Sequence, residues 1–176
     1  YEKASGFLKE MAKLGITTVE CKSGYGLSVE DELKILRVYQ RLAEDQPMHI
    51  IPTFLGAHTI PPEYKHNRKA YIDLVIKEMI PEVAEQELAE FCDIFAEESA
   101  FTIEESRRIL TAARAAGLTS KLHADQLTSC GGAELAAEMA AASADHLEKI
   151  SDAGIEAMAK AGVVGVTLPL ASLYTQ

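Results

Sequence analysis

The sequence predicts an alternating α/β fold in which a parallel sheet is covered by helices, and three observations carry that prediction. Short runs rich in β-branched or apolar residues recur at 16–22, 49–55, 91–96, 120–124, 143–147 and 163–168. Segments of helical period separate them, as in Leu33, Leu36, Tyr39 and Leu42, or Ile109, Ala112, Ala113 and Ala116. Three times a helical segment closes on a glycine with a strand directly behind it, at Gly15, Gly117 and Gly162, a weak internal repeat of one αβ unit. Glycine suits those positions because it takes the left-handed conformation past a helix end without a Cβ penalty.

In chain order, a first helix stops at Gly15 and feeds a strand that exits into Lys22, Ser23, Gly24 and Tyr25. Ser28 is a candidate N-cap for the next helix, and the second strand exits into Gly56, Ala57 and His58. Pro61 and Pro62 stiffen the loop behind His58 and forbid early helix entry. The third strand ends near Ala96, followed by Glu97 and Glu98, and Thr102-Ile103-Glu104-Glu105 reads as a capping box for the helix after it. The fourth strand runs into His123, Asp125 and Gln126, the fifth into Asp145 and His146, and Ser151 is the candidate cap of the helix before the sixth. Periodicity leaves open whether the sheet is doubly wound or closed into a barrel. With no Gly-x-Gly-x-x-Gly after the first strand and no Walker sequence, a nucleotide-binding open sheet loses its best support.

A chain of 176 residues, 48% of them hydrophobic, buries one sizeable core and reads as one domain or part of one. Its 17 basic and 27 acidic residues give a net charge of -10, which opposes binding to nucleic-acid phosphates or to an anionic membrane surface. No apolar run approaches the roughly 20 residues of a membrane span, and residues 1–10 lack the apolar stretch of a signal peptide, so a cytoplasmic location is expected. Cys21, Cys92 and Cys130 are odd in number and far apart, which suits reduced, mostly buried thiols rather than a disulfide framework or a zinc ribbon.

In parallel α/β folds functional groups gather at the carboxyl ends of strands, because loops there vary without disturbing the core. His123 and His146 occupy successive strand ends; each is either a hydrogen-bonded structural histidine or a metal ligand or proton carrier, and Asp145 is a candidate partner fixing a ring tautomer. His58 is either a surface-loop residue or a donor to a substrate oxygen or carboxylate, and Tyr25 either a solvent-facing turn residue or a phenol presented to ligand. Glu97 and Glu98 are expected to cap or orient, since no second carboxylate pair supports glycosidase chemistry. Lys65, His66, Arg68 and Lys69 read as a solvated helix face and His49 as a strand-entry residue.

Four strings carry more: Glu20-Cys21-Lys22-Ser23-Gly24-Tyr25-Gly26-Leu27, Phe54-Leu55-Gly56-Ala57-His58-Thr59-Ile60-Pro61-Pro62-Glu63-Tyr64, Lys121-Leu122-His123-Ala124-Asp125-Gln126 and Ser143-Ala144-Asp145-His146-Leu147-Glu148. In this order and spacing they resemble the imidazolonepropionase family of the amidohydrolase superfamily, and the resemblance covers nearly the whole chain. The first two strings are specific to that family, whereas a strand-end histidine pair is shared across the superfamily.

The resemblance implies a metal-dependent hydrolase built on a (β/α)8 TIM-type barrel, with residues 1–176 an internal fragment of about six βα units. It implies opening of the ring C–N amide bond of 4-imidazolone-5-propanoate to N-formimidoyl-L-glutamate in histidine catabolism, with one zinc or iron ion, a small-molecule substrate and room for a homodimer. Carried over by position, His123 is a metal ligand, His146 a catalytic proton-transfer group beside the metal-bound water, and Gln126 a catalytic-site residue facing the substrate ring. Tyr25 and His58 bind substrate through its propanoate and ring oxygen.

Gln126 stands where some members of the family carry Glu; an amide is no general base, so acid/base work falls to His146. The family's His-x-His metal pair should precede this chain and its metal-binding Asp follow it. The chain alone is therefore expected to bind metal poorly, and its open barrel edges to aggregate or borrow a partner. The competing readings are a nucleobase-type deaminase, a binuclear site bridged by a carbamylated Lys22, a metal-free α/β protein that binds a small anion, and an inactive assembly surface.

Overall fold

Among the described residues six strands form, and they stand in the sheet in chain order. The computed structural model describes residues 1–175. Its strands are β1 (Thr18–Lys22), β2 (His49–Ala57), β3 (Phe91–Ala96), β4 (Thr119–Ala124), β5 (Ser143–His146) and β6 (Val164–Val166). The helices are α1 (Glu2–Lys13), α2 (Val29–Asp45), α3 (Arg68–Leu74), α4 (Ile80–Glu85), α5 (Ile103–Ala115), α6 (Gly132–Glu138), α7 (Asp152–Ala161) and α8 (Pro169–Thr175).

All neighbours pair parallel in the order β1-β2-β3-β4-β5-β6. A doubly wound sheet reverses its order at a switch point, and this one does not. The sheet also curls: four strand spacings of about 4.8 Å would separate β1 from β5 by roughly 19 Å if it were flat. Yet Lys22 Nζ on β1 lies 2.9 Å from Asp145 Oδ2 on β5. Unbroken order and strong curl together make a partial TIM-type barrel.

The local signals act as expected. Ser28, Thr102 and Ser151 cap their helices through side-chain oxygens, and Thr102 with Glu105 completes the capping box. Gly15, Gly117 and Gly162 take φ of 83°, 92° and 72°. Two details differ. Pro62 opens a 3₁₀ turn, Pro62–Tyr64, because its fixed φ suits a first helical position. β6 ends at Val166, short of residue 168, and Pro169 opens α8 two residues on from Thr167. Arg68, on the expected solvated face and 40% exposed along its side chain, also ties α3 to Glu105 Oε2 of α5 at 2.6 Å and to the Ala100 carbonyl ahead of it at 2.8 Å. Between α3 and α4 the chain widens into a π turn, Val75–Met79, just ahead of Pro81, which has no N–H to continue the helical ladder.

The main core lies between the sheet and its helices, with Phe54, Tyr71, Ile94, Leu110 and Leu122 fully buried; a smaller one joins Leu8, Leu42, Met48 and Ile50. At the far end Val164, Leu170 and Leu173 are exposed. All three cysteines are free, Cys92 buried and the others half-buried. Among the described residues no helix is long and apolar enough to cross a membrane.

Candidate functional site

The carboxyl ends of β1, β2, β4 and β5 bring the sequence-predicted rings into one row. Tyr25 meets His58 edge-on at 5.1 Å between ring centroids, His58 lies 6.4 Å from His123, and His123 lies 5.3 Å from His146. Phe95 packs against both His58 and His123. Tyr25 remains 83% exposed, so its ring is offered to solvent at the mouth of the row. Gln126 is half-buried on the loop after β4, and among the described residues no hydrogen bond or ring contact joins it to the row.

Beneath the row lies an ionic floor. Asp93, on β3, is fully buried and contacts His123 Nδ1 at 3.1 Å. A carboxylate can only accept there, so His123 carries a proton on Nδ1, and Nε2 is the nitrogen that bears the lone pair when the ring is neutral. Lys22 Nζ bridges Asp93 at 2.6 Å and Asp145 at 2.9 Å, with Glu20 at 3.2 Å; Glu20 also takes Lys121 at 2.8 Å. Burial alone would raise the Asp93 carboxyl, but His123 and Lys22 outweigh it and hold it below the ordinary carboxylate range. Burial alone would lower Lys22, but Asp93 and Asp145 hold it above the ordinary lysine range. An ammonium held this firmly is a poor candidate for carbamylation, which consumes a neutral amine.

Asp93, His123 and Asp145 place donor atoms within 4.8 Å of one another and could in principle hold a metal ion. The Lys22 ammonium already pairs with both of those carboxylates, so a cation at the centre of this trio would have to displace it. The donor better suited to metal is His123 Nε2, oriented by Asp93 as an outer partner.

His146 is buried and, among the described residues, its Nδ1 has no hydrogen-bond partner; the nearest carboxylate there, Glu148, is 3.8 Å away. Burial, and then His123, hold its pKa below the ordinary histidine value, so the ring is neutral at pH 7. His146 and Leu147 both sit at positive φ, 82° and 69°, a conformation costing roughly 1–3 kcal/mol per non-glycine residue. The strain is held by Leu147 N–H donating to Ala124 O at 3.1 Å and Lys149 N–H to Asp125 O at 2.8 Å.

Above the floor, buried carboxylates grip the loops. Asp125 accepts the N–H groups of Cys130, Gly131, Gly132 and Ala133 at 2.9–3.1 Å, capping α6, whose own N-cap Gly131 has no side chain to do so. Glu97 accepts the N–H groups of Leu127, Thr128 and Glu98 and the Thr128 hydroxyl, so it orients the Gln126 loop as its strand-end position suggests; Glu98 is exposed. Asp93 is the functional residue that sequence reasoning missed. The available signal was a lone acid inside the apolar run Phe91-Cys92-Asp93-Ile94-Phe95, because a charge so buried must have a partner.

No protein-family model matches the chain. Curated proteins do: an imidazolonepropionase of Bacteroides fragilis is 58% identical over 170 residues, 96% of this chain and 41% of the relative. One from Thermoanaerobacter pseudethanolicus is 53% identical over 98% of this chain and 42% of its own length, and one from Myxococcus xanthus 52% identical over 94% and 39%. Among solved structures, a Xaa-Pro dipeptidase with bound methionine matches 86% of this chain and 42% of its own with a TM-score of 0.57 at 16% identity, a likeness of fold. Over nearly its whole length, then, the chain is homologous to a stretch of the imidazolonepropionases, and it spans about 41% of the length of such a relative.

Proposed function

We propose that this chain, a stretch of the imidazolonepropionase family, carries part of the active site of a metal-dependent hydrolase that opens the ring C–N amide bond of 4-imidazolone-5-propanoate to give N-formimidoyl-L-glutamate. The observation that carries the reading is the row Tyr25–His58–His123–His146 at the strand ends, built on a sequence 52–58% identical to enzymes of that name. The relatives' shared name favours this over a nucleobase-type deaminase or a metal-free anion binder.

His123 offers Nε2 as one neutral ligand to a zinc or iron ion, with its ring fixed by Asp93. One ligand does not complete such a site, and the others would come from the parts of the relatives that lie outside this chain's span, as would the remaining units of the barrel. When bound, the ion supplies Lewis acidity to the ring carbonyl. His146, neutral and without a partner at Nδ1, accepts a proton from the attacking water and returns one to the leaving ring nitrogen as the C–N bond breaks and the new C–O bond forms. Tyr25 and His58 take the propanoate and the ring oxygen. Because the Gly24 carbonyl can only accept, the 3.0 Å contact makes His58 Nδ1 the donor, and Nε2 then donates to substrate only from the protonated ring. Gln126 faces the substrate ring as an amide contact, and the setting is a cytoplasmic enzyme able to form a homodimer.

The test is the loss of imidazolonepropanoate absorbance with the full-length protein, with and without chelator and beside His123→Ala. Loss that requires metal and disappears in the variant is the expected outcome. No turnover by a folded, metal-loaded protein would remove the substrate assignment.

A further inference from the structure

Glu32 sits in the first turn of α2, fully buried, and among the described residues it forms no ion pair. Its carboxylate is satisfied instead by the chain just before it. It accepts the N–H of Gly24 at 2.9 Å through Oε2, and those of Gly26 at 2.7 Å and Leu27 at 2.9 Å through Oε1. A buried charge held only by backbone donors fixes the conformation that presents those donors. Here that conformation is the loop carrying Tyr25.

The glycines on either side of Tyr25 are what let the loop approach so closely. A Cβ on Gly26 would lie 2.7 Å from the Glu32 nitrogen, and one on Gly24, at φ 106°, would lie 2.9 Å from the Leu55 carbonyl. With both neighbours drawn inward, the Tyr25 ring is left facing out. The same grip aims the Gly24 carbonyl at His58, where it receives the Nδ1 proton at 3.0 Å, and the two rings meet at 5.1 Å. One carboxylate thus sets the place of Tyr25 and the place and tautomer of His58.

We infer that Glu32 is a positioning residue for substrate binding, acting through the Gly24–Leu27 backbone on Tyr25 and His58 together. The inference rests on the substrate-binding roles proposed above for those two residues. Glu32→Gln keeps the shape but replaces one acceptor oxygen with an NH2 that faces backbone N–H groups. In the full-length, metal-loaded protein it should raise KM for imidazolonepropanoate about tenfold while kcat stays within about threefold and metal content is unchanged.

Combined with His58→Ala, its effect on KM should be less than multiplicative, since both changes remove the same contact. Multiplicative effects, or a fall in kcat with KM unchanged, would overturn the inference. If Glu32→Gln does not fold, Gly26→Ala pushes the same loop off an intact carboxylate, and an unchanged KM there would be equally decisive against it. Tyr25→Ala and His58→Ala separate the two levels. If neither raises KM, the binding roles fail and the inference falls with them; if they raise it and Glu32→Gln does not, only the inference fails.

Discussion

Buried and half-buried carboxylates occupy two layers of this molecule and are satisfied in different ways. In the floor of the barrel, Asp93 and Asp145 meet the ammonium of Lys22, and Glu20 meets both Lys22 and Lys121. In the loop layer above, Glu32 and Asp125 accept backbone N–H groups, and Glu97 accepts backbone N–H groups and the Thr128 hydroxyl. The floor ties together strands that are distant in the chain, whereas Glu32 and Glu97 shape the loops that carry Tyr25 and Gln126, and Asp125 caps α6. Losing a floor member strands an opposite charge in the interior; losing a loop anchor frees backbone donors that water reaches more easily.

The largest effect should therefore come from the floor. Lys22→Met leaves Asp93 buried without its ammonium and should destabilise the chain by about 3–5 kcal/mol in denaturant titrations. Adding Asp93→Asn should recover part of that loss; a double variant as unstable as the sum of its parts would mean the two residues do not act as a pair. In the full-length protein Asp93→Asn alone should weaken metal binding by about 10–100-fold, because His123 loses the carboxylate that orients its ring. Equilibrium dialysis against metal would show it.

In the loop layer, Asp125→Ala deprives the start of α6 of its four acceptor contacts and should cost about 2 kcal/mol, less than Lys22→Met. Equal losses would erase the distinction between the layers. The pH dependence sharpens it further. The folded-state pKa of Asp93 is lowered, so its stabilising contribution is fully present above the ordinary Asp value of about 3.9 and is lost as pH falls toward the lowered one. Thermal melts should fall off below about pH 4, and Asp93→Asn should make that fall shallower. Smallest of all, Tyr39→Phe removes the hydroxyl that donates to the Lys22 carbonyl at 2.8 Å and should cost about 1 kcal/mol.

The two layers also differ in how legible they were. Glu32 reaches donors within eight residues of itself, and Asp125 does the same. Such contacts lie within one loop and the helix turn beside it, where caps like those of Ser28, Thr102 and Ser151 can be read from neighbouring residues. Lys22 and Asp93 are 71 residues apart, Lys22 and Asp145 123, and Asp93 and His123 30. No spacing in the sequence announces those partners.

By itself the sequence determined the αβ repeat, the helix caps, the glycine stops and the gathering of Tyr25, His58, His123 and His146 at strand ends. These follow from hydrogen-bond and steric rules that act over a few residues. Tertiary structure decided that the sheet curls in unbroken order, that Lys22 is a half-buried counter-ion, and that Asp93 sets the His123 tautomer. Alternation along a strand assigns a side chain to a face, but only the curl of the sheet determines which other strand that face meets.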